Sequence, residues 1–272
     1  MNFSKTFTHI CAAALLASLL AGCDVNIANS NDNGHSKQTK ESKSKQEVTH
    51  VQPAANAKKI RLLVLYNAEA AKSGASETET KIIHKVAVSN KIYQDSGVGI
   101  YIEIAAIVPY AINNTMSSSK ALVTYSSDPK VRKLRETYQA DEVVLFRDFA
   151  NDGRCGTSYL NRALNPSLAY AHVTIGCPSY VLAHELGHTM GLAHSAHDPQ
   201  QGRTRYARGY GQENDFSTVM AYSRGQAKKI YKFSSPNLQC HHSQCGSAPG
   251  EANEADAVRS LNESASIIAA FR

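Results

Sequence analysis

The sequence predicts an α/β fold in which a twisted, mostly parallel sheet carries helices and ends in an antiparallel edge strand. The chain has 272 residues, of which 42% are hydrophobic and 16 are glycine, so it can bury the core of one sizeable domain. Strand-like apolar runs alternate with helix-like segments between residues 60 and 146, which is the pattern of a parallel sheet. The last third is loop-rich and predicts a small C-terminal subdomain that ends in a helix.

The folded part is expected to begin at Ile60. Residues 60–66 form a continuous apolar run, which is typical of a buried central strand. A helix is predicted to begin at a capping box, because Ser76 is followed by Glu79 three residues later. Its predicted buried face carries Ile82, Ile83, Val86 and Tyr93, and the Ser96-Gly97 pair ends it.

The remaining elements are predicted in the same way, from apolar periodicity and from the turn-forming residues at their boundaries. Each apolar run is bounded by turn-forming residues, and each helix shows apolar residues at helical spacing. The predicted elements are a strand at 99–108, a helix at 129–138, a strand at 142–146, extended runs at 156–160 and 169–175, and a final helix from about Asn253 with Val258, Leu261, Ala265 and Ile268 on one face.

The first residues resemble an export signal. Lys5 precedes the apolar segment 10–21, whose twelve residues are fewer than the ~20 that a membrane-spanning helix needs. The sequence Leu19-Leu-Ala-Gly-Cys23 resembles the lipobox of bacterial lipoproteins. That resemblance implies removal of residues 1–22 and lipidation, including palmitate, at Cys23. An ordinary signal peptide with a chance cysteine and a buried helix are the alternatives.

Residues 23–59 are then the lipidated cysteine and a polar tether that cannot bury enough surface to fold. We expect an exported protein held in the bacterial cell envelope by its lipid, facing the periplasm or the cell surface. The net charge of +6 comes without a dense basic block, which argues against nucleic-acid binding. The expected domain is residues 60–272, divided into 60–193 and 194–272, and we expect a monomer.

One segment carries the chemistry. It reads His184-Glu-x-x-His188-x-x-Gly191-x-x-His194. On a helix His184 and His188 lie one above the other and can bind one metal ion, with Glu185 beside them. Gly191 allows the chain to turn back and to deliver His194 as a third ligand. Three histidines with an open fourth position indicate one catalytic zinc ion per chain.

This motif resembles the signature of the metzincin zinc peptidases. The family has a methionine turn beneath the metal, and Ser217-Thr-Val-Met220-Ala-Tyr222 is similar to it. The resemblance implies that Met220 forms the floor of the site and that Tyr222 stabilises the oxyanion; a buried tyrosine with a structural hydrogen bond is the alternative for Tyr222. Segments around residues 60–66, 90–98, 140–145, 155–160, 219–222, 233–237 and 269–272 are also similar to bacterial peptidyl-Asp metallopeptidases.

The resemblance implies a metzincin-type fold and a zinc metalloendopeptidase that cleaves protein or peptide substrates. A zinc-bound water, deprotonated by Glu185, would attack the peptide carbonyl. The substrate would pair with an edge strand formed by Gly156, Thr157, Ser158, Tyr159 and Leu160. A preference near acidic residues would need a cation in the pocket, and the candidates are Arg224, Lys228 and Lys229. A solvated basic loop is the favoured alternative for each of them.

Four cysteines remain for an exported domain: Cys155, Cys177, Cys240 and Cys245. An oxidising compartment favours disulfides, and four cysteines allow three connectivities. We favour the pairs Cys155–Cys177 and Cys240–Cys245, because each pair flanks a local element.

Two other functions stay open at this point. The chain could be a zinc-containing surface lipoprotein that binds protein without cleaving it, although such a protein has no use for Glu185. It could also be a metallo-amidase acting on cell-wall peptide, although the third histidine and the methionine turn argue against this.

Overall fold

A six-stranded sheet forms the centre of the molecule. The computed structural model describes residues 20–24, 52–67, 74–148 and 152–272. The strands of the sheet are β1 (Leu20–Asp24), β2 (Lys58–Tyr66), β3 (Ile100–Pro109), β4 (Glu142–Arg147), β5 (Arg154–Tyr159) and β6 (Tyr170–Thr174), in the order β1-β5-β6-β4-β2-β3. Strands β3, β2, β4 and β6 are parallel, whereas β5 is antiparallel to β6. The predicted mostly parallel sheet with an antiparallel strand is therefore confirmed, but β1 and not the antiparallel β5 lies at the edge.

Helices cover both faces of the sheet. One face of the sheet packs against α1 (Ala75–Asp95), α4 (Tyr180–Thr189) and α5 (Ala257–Ile268). The other face packs against α2 (Ser118–Ser126) and α3 (Pro129–Thr137). Strand β2 shows why its apolar run is continuous. Leu62 and Val64 belong to one core cluster while Leu63 and Leu65 belong to the other, so both faces of the strand are buried.

The beginning of α1 differs from its prediction. The N-cap is Gly74, which makes no side-chain cap, so the capping box at Ser76 is wrong. Because the helix already includes Ala75, Ser76 lies inside the first turn instead of flanking it. Ile83 is 43% exposed, whereas Ile82 is fully buried. A neighbouring helical residue is rotated by ~100°, which turns Ile83 away from the core.

Helix α2 has no counterpart among the predicted elements. Its N-cap Ser117 accepts a hydrogen bond from the backbone N–H of Lys120, and it buries Ala121, Leu122 and Tyr125. Helix α5 begins at Ala257, later than the predicted Asn253, because the Asp256 side chain caps it. The predicted helix at 129–138 is confirmed as α3, with Pro129 in its first turn.

The part of the chain after α4 has little regular structure, as predicted. It contains the short strands β7 (Gly211–Gln212), β8 (Phe216–Ser217), β9 (Lys228–Lys229), β10 (Gln239–Cys240) and β11 (Ser243–Gln244) before α5. Both favoured disulfides are present, Cys155–Cys177 and Cys240–Cys245. The first ties β5 to the turn that precedes α4.

The predicted signal segment and most of the predicted tether lie outside the described residues. Residues 20–23 of the predicted lipobox, together with Asp24, form strand β1, which pairs antiparallel with β5. The described residues contain no helix that is long and apolar enough to cross a membrane. Strand β2 begins at Lys58, two residues before the expected start of the folded part.

Candidate metal centre

Helix α4 and the turn that follows it bring three imidazoles together. His184 and His188 lie one turn apart on α4. The helix ends in a Schellman motif, in which the N–H of Leu192 bonds the Gly187 carbonyl and the N–H of Gly191 bonds the His188 carbonyl. Gly191 has φ of 92°, the left-handed conformation that glycine adopts without strain. This turn redirects the chain so that His194 faces the helix.

The ring nitrogens converge on one point. His188 Nε2 lies 3.2 Å from His184 Nε2 and 3.0 Å from His194 Nε2. Two main-chain carbonyls fix the tautomers, because a carbonyl can only accept. His184 donates from Nδ1 to the Val219 carbonyl over 2.7 Å, and His188 donates from Nδ1 to the Leu192 carbonyl over 2.8 Å. The Nε2 lone pairs of both residues therefore face the common point.

This donor set fits a zinc ion. Lone pairs that face each other repel unless a cation lies between them, and tetrahedral zinc with Zn–N bonds of ~2.0–2.1 Å separates its nitrogen ligands by roughly 3.3 Å. Burial lowers the pKa of His184 well below its usual value and lowers that of His188 to about 4. Burial also lowers the pKa of His194 to about 2, with further contributions from His188 and Lys229. All three imidazoles are thus neutral at neutral pH, the form that binds metal.

Glu185 lies between this cluster and β5. Its Oε2 accepts a hydrogen bond of 2.6 Å from Ser158 Oγ. Gly156, two residues earlier on β5, leaves space for the same carboxylate, since a Cβ at this position would lie 2.4 Å from Glu185 Oε1. Strand β5 and helix α4 therefore jointly fix the position of the Glu185 carboxylate. This side chain is fully buried.

Met220 packs against helix α4. It is fully buried, and its thioether occupies the space where Gly187 lacks a side chain, because a Cβ on Gly187 would lie 2.5 Å from Met220 Sδ. The backbone of the same turn is packed against Gly209, whose Cβ would lie 2.5 Å from the amide nitrogen of Ala221. Both glycines are places where only a missing side chain permits the packing.

Tyr222 lies at the edge of the cluster. Its ring centroid is 4.4 Å from that of His194, and the side chain is half-buried. Tyr222 therefore lies next to the expected metal site, and its role as oxyanion stabiliser stays a prediction.

The three candidate cations are in different places. Lys229 donates to the carbonyls of Thr218 and Ala221 in the methionine turn, and it borders the same small cavity as His184 and Glu185. Lys228 and Arg224 are exposed, and Arg224 borders a second small cavity together with Tyr222. Only Lys229 of the three lines the cavity that touches the metal centre.

The predicted edge strand divides between the two faces of the sheet. Gly156 and Ser158 face α4, Tyr159 belongs to the core cluster on the opposite face, and Leu160 lies just beyond the end of β5. The outer edge of β5 pairs with β1. Pairings in register include Gly156 with Cys23 and Ser158 with Ala21.

Sequence reasoning missed the supporting role of two residues. Nothing in the sequence near Ser158 indicates that it holds Glu185, and nothing near Gly187 indicates that it accommodates Met220. Both contacts join segments that are far apart along the chain, so no local pattern could reveal them. The three histidines of the described cluster are the three that the motif indicates as metal ligands.

A family model described as metallo-peptidase family M12 (Reprolysin_5) matches residues 56–234. The matched part includes the three histidines, Glu185, Met220 and Tyr222. It begins two residues before β2 and ends after the methionine turn.

Two curated proteins with similar sequences are both named peptidyl-Asp metalloendopeptidase. A peptidyl-Asp metalloendopeptidase of Pseudomonas aeruginosa is 32% identical over 245 residues, which covers 79% of this chain and 40% of the relative. A peptidyl-Asp metalloendopeptidase of Xanthomonas campestris pv. campestris is 29% identical over 222 residues, which covers 78% of this chain and 52% of the relative. The chain thus spans about half, or less, of the length of these relatives.

A solved structure shares the fold. One chain of a structure described as "Structure of a chaperone-substrate complex" superposes with a TM-score of 0.67 and 24% sequence identity. The match covers 80% of this chain and 36% of that chain.

Proposed function

Because the chain belongs to metallo-peptidase family M12, we propose that it is a zinc-dependent endopeptidase that hydrolyses peptide bonds in proteins or peptides. The observation that carries this proposal is the buried cluster of His184, His188 and His194 with the carboxylate of Glu185 beside it. Three imidazole ligands leave a fourth position open for water or substrate, as catalytic zinc sites do.

His184, His188 and His194 would hold the metal. When bound, zinc supplies Lewis-acid chemistry, which lowers the pKa of water and polarises a carbonyl. Glu185 takes a proton from the attacking water and passes it to the leaving amine. Ser158 holds the carboxylate by its hydrogen bond, and the Tyr222 hydroxyl donates to the oxyanion that develops on the substrate.

The substrate lies along β5 as an added antiparallel strand. The pairing between β1 and β5 supports this, because an extended segment of chain lies antiparallel along the outer edge of β5. Gly156 and Ser158 connect that edge to Glu185, so a peptide bound there lies beside the general base.

The substrate preference is for acidic side chains near the cleaved bond. The names of the relatives support this, since they are peptidyl-Asp metalloendopeptidases. A lysine at the cavity beside the metal centre supports it independently.

The protein is anchored in the bacterial cell envelope by lipid on Cys23 and acts as a monomer. The lipobox at residues 19–23 supports the anchor. Radiolabelled palmitate should be incorporated into the wild-type protein and not into Cys23→Ser. Equal labelling of the two proteins would contradict the anchor.

The test of the enzymatic proposal compares the full chain with Glu185→Gln. Both proteins should bind one zinc ion, whereas only the wild type should cleave casein, because the variant lacks the proton acceptor. We expect kcat to fall at least ~100-fold. Zinc content measured on the same samples is the control. Equal proteolysis by two zinc-loaded proteins would contradict the role of Glu185.

The same comparison decides the alternative, a zinc lipoprotein that binds protein without cleaving it. If zinc-loaded wild type cleaves neither casein nor a peptide library, the peptidase proposal fails. The buried Glu185 disfavours that alternative, because a binding site gains nothing from a buried carboxylate beside the metal.

A further inference from the structure

A small cavity opens directly beside the catalytic groups. Its volume is about 20 Å³, and it touches both His184 and Glu185. The other walls come from the first turn of α4 and from the residues after Met220; they are Tyr180, Val181, Ala221, Tyr222 and Lys229. The cavity thus borders the proton acceptor and a metal ligand at once.

Lys229 is the basic residue in this wall besides the metal-binding imidazole. Its ammonium group donates to the carbonyl of Thr218 over 3.1 Å and to the carbonyl of Ala221. It also lies 5.3 Å from the centre of the Tyr180 ring, which is a cation–π distance. The two hydrogen bonds to main-chain carbonyls fix the position of the ammonium group.

The strand geometry explains why Lys229 faces the cavity and Lys228 does not. Strand β9 pairs with β8, with Ser217 opposite Lys229 and Phe216 opposite Lys228. Successive strand residues point to opposite sides, so one lysine faces the methionine turn and the other faces solvent. Arg224 borders a separate cavity together with Glu213.

We propose that Lys229 is the specificity-determining residue, and that it pairs with the carboxylate of an aspartate next to the cleaved bond. The inference rests on the proposed peptidase function. A fixed ammonium group at a partly buried wall favours a carboxylate over the isosteric amide, because the amide gains no charge–charge attraction.

The experiment uses the full zinc-loaded chain and a set of quenched peptides that differ at one position. That position carries Asp, Asn, Glu or Lys, in one series before and in a second series after the cleaved bond. The variants are Lys229→Met and Lys229→Glu. Lys228→Met is the matched control, since it removes the same charge from the neighbouring residue on the same strand.

We expect wild type to show an Asp-to-Asn ratio of kcat/KM of at least about tenfold in one series. Lys229→Met should bring that ratio close to one, and Lys229→Glu should favour the Lys peptide over the Asp peptide. Lys228→Met should keep the wild-type ratio. A structural role of Lys229 in the methionine turn would lower the cleavage of all peptides alike and would leave the ratio unchanged.

The ratio is measured within each protein, so a partly unfolded variant still reports on it. If a variant does not fold at all, the wild type alone decides, because equal cleavage of Asp and Asn peptides overturns the inference. An unchanged ratio in folded Lys229→Met overturns it as well. Failure of zinc-loaded wild type to cleave any peptide is a different result, which overturns the proposed peptidase function.

Discussion

At the scale of single residues, the centre depends on positions where a side chain is missing. Gly156 makes room for the carboxylate of Glu185, and Gly187 makes room for the thioether of Met220. In both cases the glycine lies directly against a group of the site. Neither Gly156 nor Gly187 has a positive φ angle, so the backbone conformation does not require glycine at these positions. The requirement comes from the close packing of the neighbouring side chain.

Gly187→Ala should therefore disturb the floor of the metal centre. The new Cβ would meet Met220 Sδ at 2.5 Å and Cε at 3.1 Å, in a place where Met220 is fully buried and has little room to move. We expect a destabilisation of about 1–3 kcal/mol, as for other overpacked cores, and weaker zinc retention.

Thermal unfolding and zinc content after dialysis measure both effects. Gly176→Ala is the matched control, because a Cβ there meets nothing within 4 Å. If Gly187→Ala unfolds and retains zinc like Gly176→Ala, the packing against Met220 does not constrain the site.

Glu142, at the start of β4, is a titratable group in the core. Burial raises the pKa of Glu142 to about 8, against an opposing effect of Arg135. The folded state therefore binds the proton more tightly than the unfolded state, whose ordinary pKa is 4.5. The stability that this proton contributes is complete below pH ~4.5 and is lost as the pH rises towards ~8.

Glu142→Gln should remove that dependence. The free energy of unfolding of the wild type should fall between pH 5 and pH 8 relative to the variant, as measured by denaturant unfolding at each pH. Glu136→Gln, at an exposed position of α3, is the control for losing one carboxylate. Parallel pH curves for wild type and Glu142→Gln would show that Glu142 does not titrate in this range.

At the scale of elements, the disulfide between Cys155 and Cys177 ties β5 to the beginning of the metal-binding helix. Its two cysteines are 22 residues apart, whereas those of Cys240–Cys245 are 5 apart. In the loop-entropy model the longer loop is worth about 3 kcal/mol and the shorter about 2 kcal/mol.

Replacing both members of each pair by serine should therefore have unequal consequences. The Cys155→Ser/Cys177→Ser variant should lose more stability and also kcat, because β5 and α4 together hold Glu185. The Cys240→Ser/Cys245→Ser variant should keep its kcat. Denaturant midpoints and peptide cleavage measure the two effects, and equal kcat in both variants would argue against a role of the longer link in the site.

The helices and strands also show which parts of the fold can be predicted from local sequence patterns. The buried run at 60–66 and the helix that starts at Pro129 were predictable, because apolar periodicity and a proline in the first turn are local signals. Helix α2 was not, because its nine residues include four that are serine or threonine and are poor helix formers. It forms because Leu122 and Tyr125 are buried against the sheet, a tertiary contact without a local signature.

The metal centre shows the same division. The spacing of His184, His188 and His194 is a local pattern, so all three ligands could be predicted. The hydrogen bond from Ser158 to Glu185 spans 27 residues and the approach of Met220 to Gly187 joins two segments, so they depend on how the chain folds back. The distinction between Lys228 and Lys229 needed the register of β9, which no sequence pattern gives.

At the scale of the whole molecule, the metal should contribute to folding. The three neutral imidazoles face one another at 3.0–3.2 Å between the paired nitrogens, an arrangement that a bound cation stabilises. We expect a chelator to lower the melting temperature and added zinc to restore it. At a free zinc concentration 100 times Kd the gain is about 2.7 kcal/mol.

Scanning calorimetry of the full chain with and without chelator measures this contribution. His188→Ala is the control, because it lacks the central ligand and should show no shift on adding zinc. Identical melting curves of the wild type before and after verified removal of zinc would contradict a metal-dependent fold.

The carbonyls of Val219 and Leu192 that orient His184 and His188 belong to the main chain. Every amino acid carries this group, so a point mutation at either position leaves the acceptor in place as long as the path of the chain is kept. The orientation of the ligands is therefore robust to the commonest genetic change, a single amino-acid replacement. Its weak point is a one-residue insertion or deletion in either turn, which moves the oxygen without altering any ligand.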